Sequence, residues 1–290
     1  MTLKATPIHP GIGMEVQGVD LAQELAADVR ARIGQLLNDH SLLLFRDQRL
    51  TPAQLARFSR GYGELRIHDL AKYRVPDAPE VTILSNILDE NGEQTGFVDV
   101  GHVWHTDASF LDQPHMYSFL HAIEIPHQDG RPLGSTWFVS SARAYDTLPE
   151  AMKQRIAGLK AVHSFDSRFA RHKATTGKEA SRDSFKGRAP LPPVMHPVVR
   201  QHPVTGRKSL YINQLATVGI VGMPDDEAEA LIAELCRHCT QEDQIYRHTW
   251  RVGDVLIWDN CTSQHIAIGD YALPQRRMLY KATVKGTAPF

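Results

Sequence analysis

Short apolar runs bounded by turn residues dominate the hydrophobic pattern of this chain. Such runs are typical of buried β-strands, while apolar residues at helical spacing predict amphipathic helices. The pattern predicts a short strand pair with glycine turns at residues 11–20, and further strands at 41–45, 81–86, 116–125, 135–140, 209–212, 245–250, 255–258 and 278–284. It predicts helices over residues 25–37, 148–159 and 225–238, and one that begins after Thr51 and ends near residue 61 or 63.

Many short strands with a few peripheral helices predict a mainly β fold with the helices outside, either a sandwich or a barrel. A chain of 290 residues is long enough for one such domain. Residues 165–193 break the strand pattern, because they are charged, carry few large apolar side chains and include a proline-rich cluster. We therefore expect a single domain over residues 1–290 with a lid or insertion at 165–193.

The charge balance gives no sign of a nucleic-acid or membrane-surface partner, since 32 basic and 33 acidic residues leave a net charge of −1. The first residues lack an apolar run behind their lysine, and no window approaches the length of a membrane span, so we expect a cytoplasmic protein. Three cysteines suggest no disulfide framework. Cys236 lies in a predicted helix and Cys239 directly follows it, and we interpret them as core or surface cysteines rather than metal or redox residues, since no second CxxC completes a zinc site.

Two histidines and one aspartate form the candidate metal site. Interpreted as a β-strand, residues 103–110 place His105 and Asp107 side by side on one face. The apolar strand at 255–258 leads through a polar turn to His265. Two imidazoles and one carboxylate with open coordination positions form the facial triad that suits non-haem Fe(II).

The surroundings of this triad add a candidate anion clamp. Arg276 and Arg277 are adjacent in a predicted strand, so only one of them faces the metal side, where a guanidinium grips a carboxylate through two parallel hydrogen bonds. The loop at 93–102 leads into the triad and is expected to line the site. A second His-x-Asp sequence at 127–129 lies beside turn residues, and we interpret it as surface.

The order of these motifs resembles the taurine dioxygenase and chlorophenoxyacetate dioxygenase family of Fe(II)/2-oxoglutarate-dependent enzymes. The resemblance extends over nearly the whole chain, through the segments SLLLFRDQ, GYGEL, WHTDASF, AYDTLP, HPVTGRKSLYI and GDVLIWDN, followed by the histidine and the paired arginines. It implies a double-stranded β-helix, or jelly roll. It also implies that His105, Asp107 and His265 are the iron ligands and therefore the catalytic centre.

The resemblance further implies that 2-oxoglutarate and O2 are co-substrates. Arg277 matches the arginine that binds the distal carboxylate of 2-oxoglutarate, although an insertion at residues 271–273 keeps Arg276 as an alternative. Thr136 matches a threonine that also contacts this co-substrate. The expected reaction couples oxidative decarboxylation, which gives succinate and CO2, to hydroxylation of an unactivated C–H bond.

The prime substrate is less well defined by the sequence. Lys281 stands where taurine dioxygenase has a sulfonate-binding arginine, and a lysine keeps the charge without the planar fork. Other segments resemble the chlorophenoxyacetate branch. We therefore expect a small organic acid, aryloxy-substituted, with a sulfonate as the other option. The candidate substrate contacts are His68, Tyr73, Arg168 and Lys281.

Three other functions are compatible with parts of the pattern. The same chemistry could act on an amino-acid-derived acid in biosynthesis. A non-catalytic metal-binding jelly-roll protein would keep the histidines but would not need Arg277 and Thr136. A zinc hydrolase would need a general base near the metal and no co-substrate clamp. Family members are often dimers or tetramers, so the resemblance implies a homo-oligomer.

Overall fold

The computed structural model describes residues 3–98, 101–177 and 191–290. Its strands are β1 Lys4–Pro7, β2 Met14–Gln17, β3 Leu42–Phe45, β4 Arg74–Val75, β5 Ala78–Ser85, β6 His115–Glu124, β7 His127–Gln128, β8 Arg131–Pro132, β9 Thr136–Ser140, β10 Lys160–His163, β11 Val194–Pro197, β12 Val199–Gln201, β13 Lys208–Leu210, β14 Thr217–Ile220, β15 Tyr246–His248, β16 Val255–Asp259, β17 Ser263–Ala267 and β18 Met278–Lys285. Its helices are α1 Ala27–His40, α2 Pro52–Arg60, α3 Ser141–Asp146, α4 Glu150–Ile156, α5 Ser167–Thr176 and α6 Asp225–Cys239, with 3-10 turns at Ala71–Tyr73 and Glu242–Gln244.

An eight-stranded sheet in the order β1-β2-β3-β16-β6-β18-β5-β4 is the largest element. Its pairs are antiparallel except β2 and β3, which run parallel. A three-stranded antiparallel sheet, β15-β9-β17, joins strands from distant parts of the chain. The predicted mainly β fold with peripheral helices is therefore confirmed, and the two sheets agree with the jelly roll that the resemblance implies.

Side-chain alternation along β16 explains how the large sheet is covered. Val255 and Ile257 belong to one apolar cluster with residues of α1 and α2, so this face packs against the helices. Leu256 and Trp258 belong to another cluster that contains Phe138 of β9, so the opposite face packs against the smaller sheet. Because both faces are buried, the strand is apolar throughout, as its sequence indicated.

The helices begin and end where local chemistry places them. Thr51 caps α2 through a reciprocal capping box with Gln54, and the helix ends at Gly61, as predicted. The predicted helix at 148–159 is shorter, because α4 begins after Pro149 and ends at Ile156. In α6, Cys236 and Cys239 are both buried in an apolar cluster, which agrees with a structural role.

Two predictions stay open at the level of the fold. The expected lid at 165–193 includes α5, but residues 178–190 lie outside the described part of the chain, so the lid and the single-domain boundary remain predictions. Within the described residues, no helix combines the length and the apolar character needed to cross a membrane.

Candidate active site

His105, Asp107 and His265 converge as the sequence predicted. Oδ1 of Asp107 lies 3.9 Å from Nε2 of His105 and 4.0 Å from Nε2 of His265. All three residues are buried, and one ligand atom from each lies within 4.8 Å of the others. A metal about 2.1 Å from each ligand atom needs separations of about 3.0 to 3.4 Å, so small side-chain shifts close the set around an ion. The residues therefore fit a metal with two nitrogen ligands and one oxygen ligand.

The local backbone differs from the predicted strand at 103–110. His105 forms a single antiparallel bridge with His265, with N–H to O distances of 3.0 and 2.8 Å in the two directions. The chain then turns, with Ala108 at a positive φ of 58°. The Asp107 N–H donates to Oδ1 of Asn260 at 3.2 Å. Asp107 thus lies beside the histidines as predicted, but not through strand alternation. A turn held by Asn260 brings it there.

Each histidine is oriented by its surroundings. Nδ1 of His105 lies 2.8 Å from the carbonyl oxygen of Val103, which requires the proton on Nδ1 and leaves the Nε2 lone pair for a metal. The His265 ring stacks on Phe138 and lies 4.7 Å from the ring of Trp258. Burial, together with the nearby His105, lowers the pKa of His265 well below its usual value, so this imidazole is neutral at physiological pH.

The two oxygens of Asp107 have different partners. Oδ1 faces the histidines, while Oδ2 accepts hydrogen bonds from Ser118 Oγ at 2.5 Å and Lys281 Nζ at 2.8 Å. Burial alone would raise the pKa of Asp107, but the positive charge of Lys281, with smaller effects of the neighbouring histidines, outweighs it and holds the pKa well below its usual range. Sequence reasoning missed Ser118, although a serine within the apolar run at 116–125 was a usable signal.

A cavity of about 250 Å³ opens from the metal site. Thr136 and Arg277 lie in its wall, as do His102 and Phe97 from the loop that was expected to line the site. The remaining wall consists of residues from the large sheet and the surrounding loops, among them Arg66, His68, Thr82, Leu84, Ser85, Asn86, Phe110, His115, Leu120, Phe165, Leu215, Trp258, Tyr271, Leu279, Lys281 and Thr283.

The paired arginines separate as alternation predicted. Arg277 is buried in the cavity wall, where its guanidinium lies over the ring of Tyr271 and donates to the Gly134 carbonyl at 3.3 Å. Its Nε has no hydrogen-bond partner among the described residues. Arg276 instead is exposed and pairs with Glu124 at 3.1 Å. Of the two adjacent arginines, Arg277 is therefore the one that faces the cavity, while its binding role stays a prediction.

Thr136 begins β9 and is buried beside the cavity. Its Oγ1 accepts a hydrogen bond of 3.0 Å from Nε1 of Trp250, which is itself buried. Because that bond occupies the hydroxyl oxygen, the hydroxyl proton is available to an acceptor in the cavity. The contact of Trp250 with Thr136 was not predicted from the sequence, since the two residues are 114 positions apart.

The candidate substrate contacts have different positions. His68 lines the cavity and packs against Phe97, with ring centroids 5.5 Å apart. Tyr73 is buried behind His68 and is not among the described residues that line the cavity. Lys281 lines the cavity, but its amine is bonded to Asp107. The Arg168 side chain lies outside the described part of the structure.

The second His-x-Asp sequence is on the surface, as interpreted. His127 and Gln128 form β7 of a small exposed hairpin, and Asp129 follows in the turn.

Residues 4–283 match the model of the family described as taurine catabolism dioxygenase TauD, TfdA family, so the chain belongs to this family. It is 34% identical to the alpha-ketoglutarate-dependent 2,4-dichlorophenoxyacetate dioxygenase of Cupriavidus pinatubonensis, over 98% of both chains. It is 30% identical to the alpha-ketoglutarate-dependent sulfate ester dioxygenase of Pseudomonas putida, over 100% of this chain and 91% of that protein.

Comparison with a solved structure supports the same family membership. The crystal structure of a taurine dioxygenase from Burkholderia xenovorans superposes with a TM-score of 0.81 at 30% identity, over 99% of this chain and 90% of that chain. The predicted family and the dioxygenase class, which makes the chain an oxidoreductase, are therefore confirmed.

Proposed function

We propose that this protein is an Fe(II)- and 2-oxoglutarate-dependent dioxygenase that hydroxylates a C–H bond of a small organic anion. The observation that carries the proposal is that one cavity joins the buried His105, Asp107 and His265 to the buried guanidinium of Arg277. A metal-binding protein without turnover would need the first set but not the second.

His105, Asp107 and His265 would hold Fe(II) in this site. Two neutral imidazoles and one carboxylate leave the ion a net positive charge and open positions for a chelating keto acid and O2. Bound iron supplies the oxidative decarboxylation of 2-oxoglutarate to succinate and CO2, coupled to hydroxylation. The chain's own contribution is to fix the ligands, through the Val103 carbonyl at His105 and through Ser118 and Lys281 at Asp107.

Arg277 and Thr136 would bind the distal carboxylate of 2-oxoglutarate. A buried guanidinium with an unpaired Nε offers a fork that matches a carboxylate. The Thr136 hydroxyl adds a second donor, since Trp250 already occupies its oxygen as an acceptor.

The prime substrate would be a small anionic organic molecule. The relatives named above act on an aryloxyacetate, on sulfate esters and on taurine, which share an anionic group and little else. We favour an aryloxyalkanoate-like acid, because the aryloxyacetate enzyme is 34% identical over nearly the full length of both chains. A sulfonate is the second candidate. By resemblance to the family, we also propose a cytoplasmic homo-oligomer.

Succinate formation in the presence of Fe(II), 2-oxoglutarate and a panel of organic acids tests this function. We expect succinate release that depends on iron and is accelerated by at least one acid of the panel. His105→Ala and His265→Ala should abolish it, whereas His127→Ala, in the exposed hairpin, should not. Full turnover in either triad variant would contradict the assignment, and metal binding without any turnover would favour a binding protein.

A further inference from the structure

The three cationic residues among the described cavity-lining residues differ in their partners. Arg277 is assigned above to the co-substrate, and Lys281 is bonded to Asp107 at 2.8 Å. Arg66 pairs with Asp69 at 3.5 Å, and the side chains are 29% and 52% exposed. An ion pair this exposed contributes about 0–1 kcal/mol, so an incoming anion can replace Asp69 at little cost. Arg66 is therefore the cavity cation that a ligand can recruit most easily.

His115 is a second polar group in this wall that the proposed reaction does not use. Both ring nitrogens are buried and have no hydrogen-bond partner in the described part of the protein. Burial, helped by the charges of Lys281 and Arg66 and opposed by Asp107, lowers its pKa to about 3. The neutral ring offers one donor and one acceptor. An unpaired buried polar group costs about 1–3 kcal/mol, which a bound ligand would recover.

The sheet register places these groups at one end of the cavity. Thr283 lies two residues beyond Lys281 on the same face of β18, and both line the cavity. The Arg66 N–H donates to the Thr283 carbonyl at 2.8 Å, which fixes Arg66 at this end. On the neighbouring strand β6, His115 pairs with Lys285, the next residue but one after Thr283. The end of the cavity beyond Lys281 is thus lined by a guanidinium, an imidazole and a hydroxyl, together with the carboxylates of Asp69 and Glu80, which are paired with Arg66 and Arg60.

We propose that Arg66, His115 and Thr283 form the subsite for the anionic group of the prime substrate. This inference rests on the proposed function and goes further, because it moves the anion away from Lys281. Two residues of strand span about 7 Å, so an anion held here lies farther from the metal ligand Asp107 than an anion held at Lys281, which contacts Asp107 directly. The favoured ligand is a longer-chain carboxylate or sulfonate rather than an acetate whose reacting carbon adjoins the anion.

Binding is tested with phenoxyacetate, 4-phenoxybutyrate and 6-phenoxyhexanoate, and with their primary amides as neutral controls. Each is titrated anaerobically into protein loaded with Fe(II) and 2-oxoglutarate, and binding is read from the change in the visible charge-transfer band. We expect the longest acid to bind best. Arg66→Met should weaken acid binding about tenfold or more without affecting the amides, because a charged hydrogen bond is lost. Arg66→Lys should fall between the two.

A matched control is Arg155→Met, which removes an arginine from an exposed ion pair with Glu234. It should leave acid binding unchanged. If phenoxyacetate binds best, and if its binding is insensitive to Arg66→Met but lost in Lys281→Met, the anion sits at Lys281 and the subsite is wrong. Acids that bind no better than their amides would also overturn it.

His115→Phe separates a binding role from a structural one. Replacing an unpaired buried polar ring by an apolar ring of similar shape should leave the melting temperature of the metal-free protein unchanged or raise it. The same variant should weaken acid binding. A lower melting temperature with unchanged binding would make His115 structural. If the charge-transfer band fails to form in the wild type, the proposed function fails, and calorimetric titration of the same acids still decides the subsite.

Discussion

Lys281 and Asp107 form a partly buried ion pair through one oxygen of the carboxylate. Nζ of Lys281 lies 2.8 Å from Oδ2, while Oδ1 faces the two histidines. Ser118 donates to the same Oδ2, and Asn260 in turn donates to Ser118 at 3.0 Å. Because Oδ2 is occupied, the carboxylate presents a single oxygen to a metal, which keeps coordination positions open.

Ser118→Ala should weaken metal binding. The change removes the 2.5 Å bond to Asp107 and the link to Asn260, and loss of such an outer contact typically costs about 10- to 100-fold in affinity or activity. Calorimetric titration with Mn(II) measures it. Ser209→Ala is the control, since this equally buried serine donates to the Cys261 carbonyl instead. Equal affinities in the two variants would show that Ser118 does not orient the ligand.

Arg277→Leu should raise the KM for 2-oxoglutarate by about tenfold or more, because a charged hydrogen bond to the distal carboxylate is lost. Arg276→Leu should have little effect, since Arg276 pairs with Glu124 on the surface. Steady-state succinate release at varied 2-oxoglutarate concentration makes the comparison. The reverse order would transfer the clamp to Arg276.

Trp250→Phe should raise the same KM by about three- to tenfold and change kcat little, because Thr136 loses the donor that orients its hydroxyl. In the double variant with Thr136→Val, the tryptophan change should add nothing further, since the two residues act as a unit. Trp137→Phe is the matched control and should leave this KM unchanged, because the Trp137 indole donates to Ser135 instead. Additive effects would mean that Trp250 acts only through packing.

The free energy of unfolding should fall as the pH decreases below about 6.5. Burial, with a smaller effect of His196, lowers the pKa of His163 from 6.5 to about 3. Between these values the unfolded chain binds the proton more readily, so the stability is complete above 6.5 and is lost as the pH falls. Each such histidine contributes a slope of about 1.4 kcal/mol per pH unit.

Urea denaturation across this pH range measures the effect. His163→Phe should make the acid limb shallower, whereas the exposed His127→Ala should not alter it. An unchanged slope in His163→Phe would mean that the ring is not held neutral in the folded protein.

The sequence predicted what depends on local pattern. The capping box at Thr51, the apolar strand at 255–258 and the order of the triad motifs were all readable along the chain, and the structure agrees with them. Alternation also predicted that only one of Arg276 and Arg277 faces the metal side, and the structure places Arg277 in the cavity wall.

The features that the sequence did not reveal depend on contacts between distant segments of the chain. Residues 103–110 look like a strand, but Asn260 from another part of the chain holds Asp107 in a turn. The substrate role expected of Lys281 stays a prediction, but its hydrogen bond to Asp107, 174 residues away, was not readable along the chain. The sequence around Trp250 does not indicate its hydrogen bond to Thr136, because the two residues are 114 positions apart. The sequence around His115 likewise does not indicate that both of its ring nitrogens lack a hydrogen-bond partner among the described residues.

We propose that one cavity binds Fe(II) and 2-oxoglutarate together. Anaerobic titration of the metal-free protein with Fe(II) and 2-oxoglutarate tests it directly, through the weak visible metal-to-ligand charge-transfer band of a chelated keto acid. We predict that the band appears and saturates at one equivalent of each, and that Arg277→Leu shifts saturation to higher 2-oxoglutarate concentration. Folded, iron-loaded protein that shows no band would contradict the dioxygenase assignment.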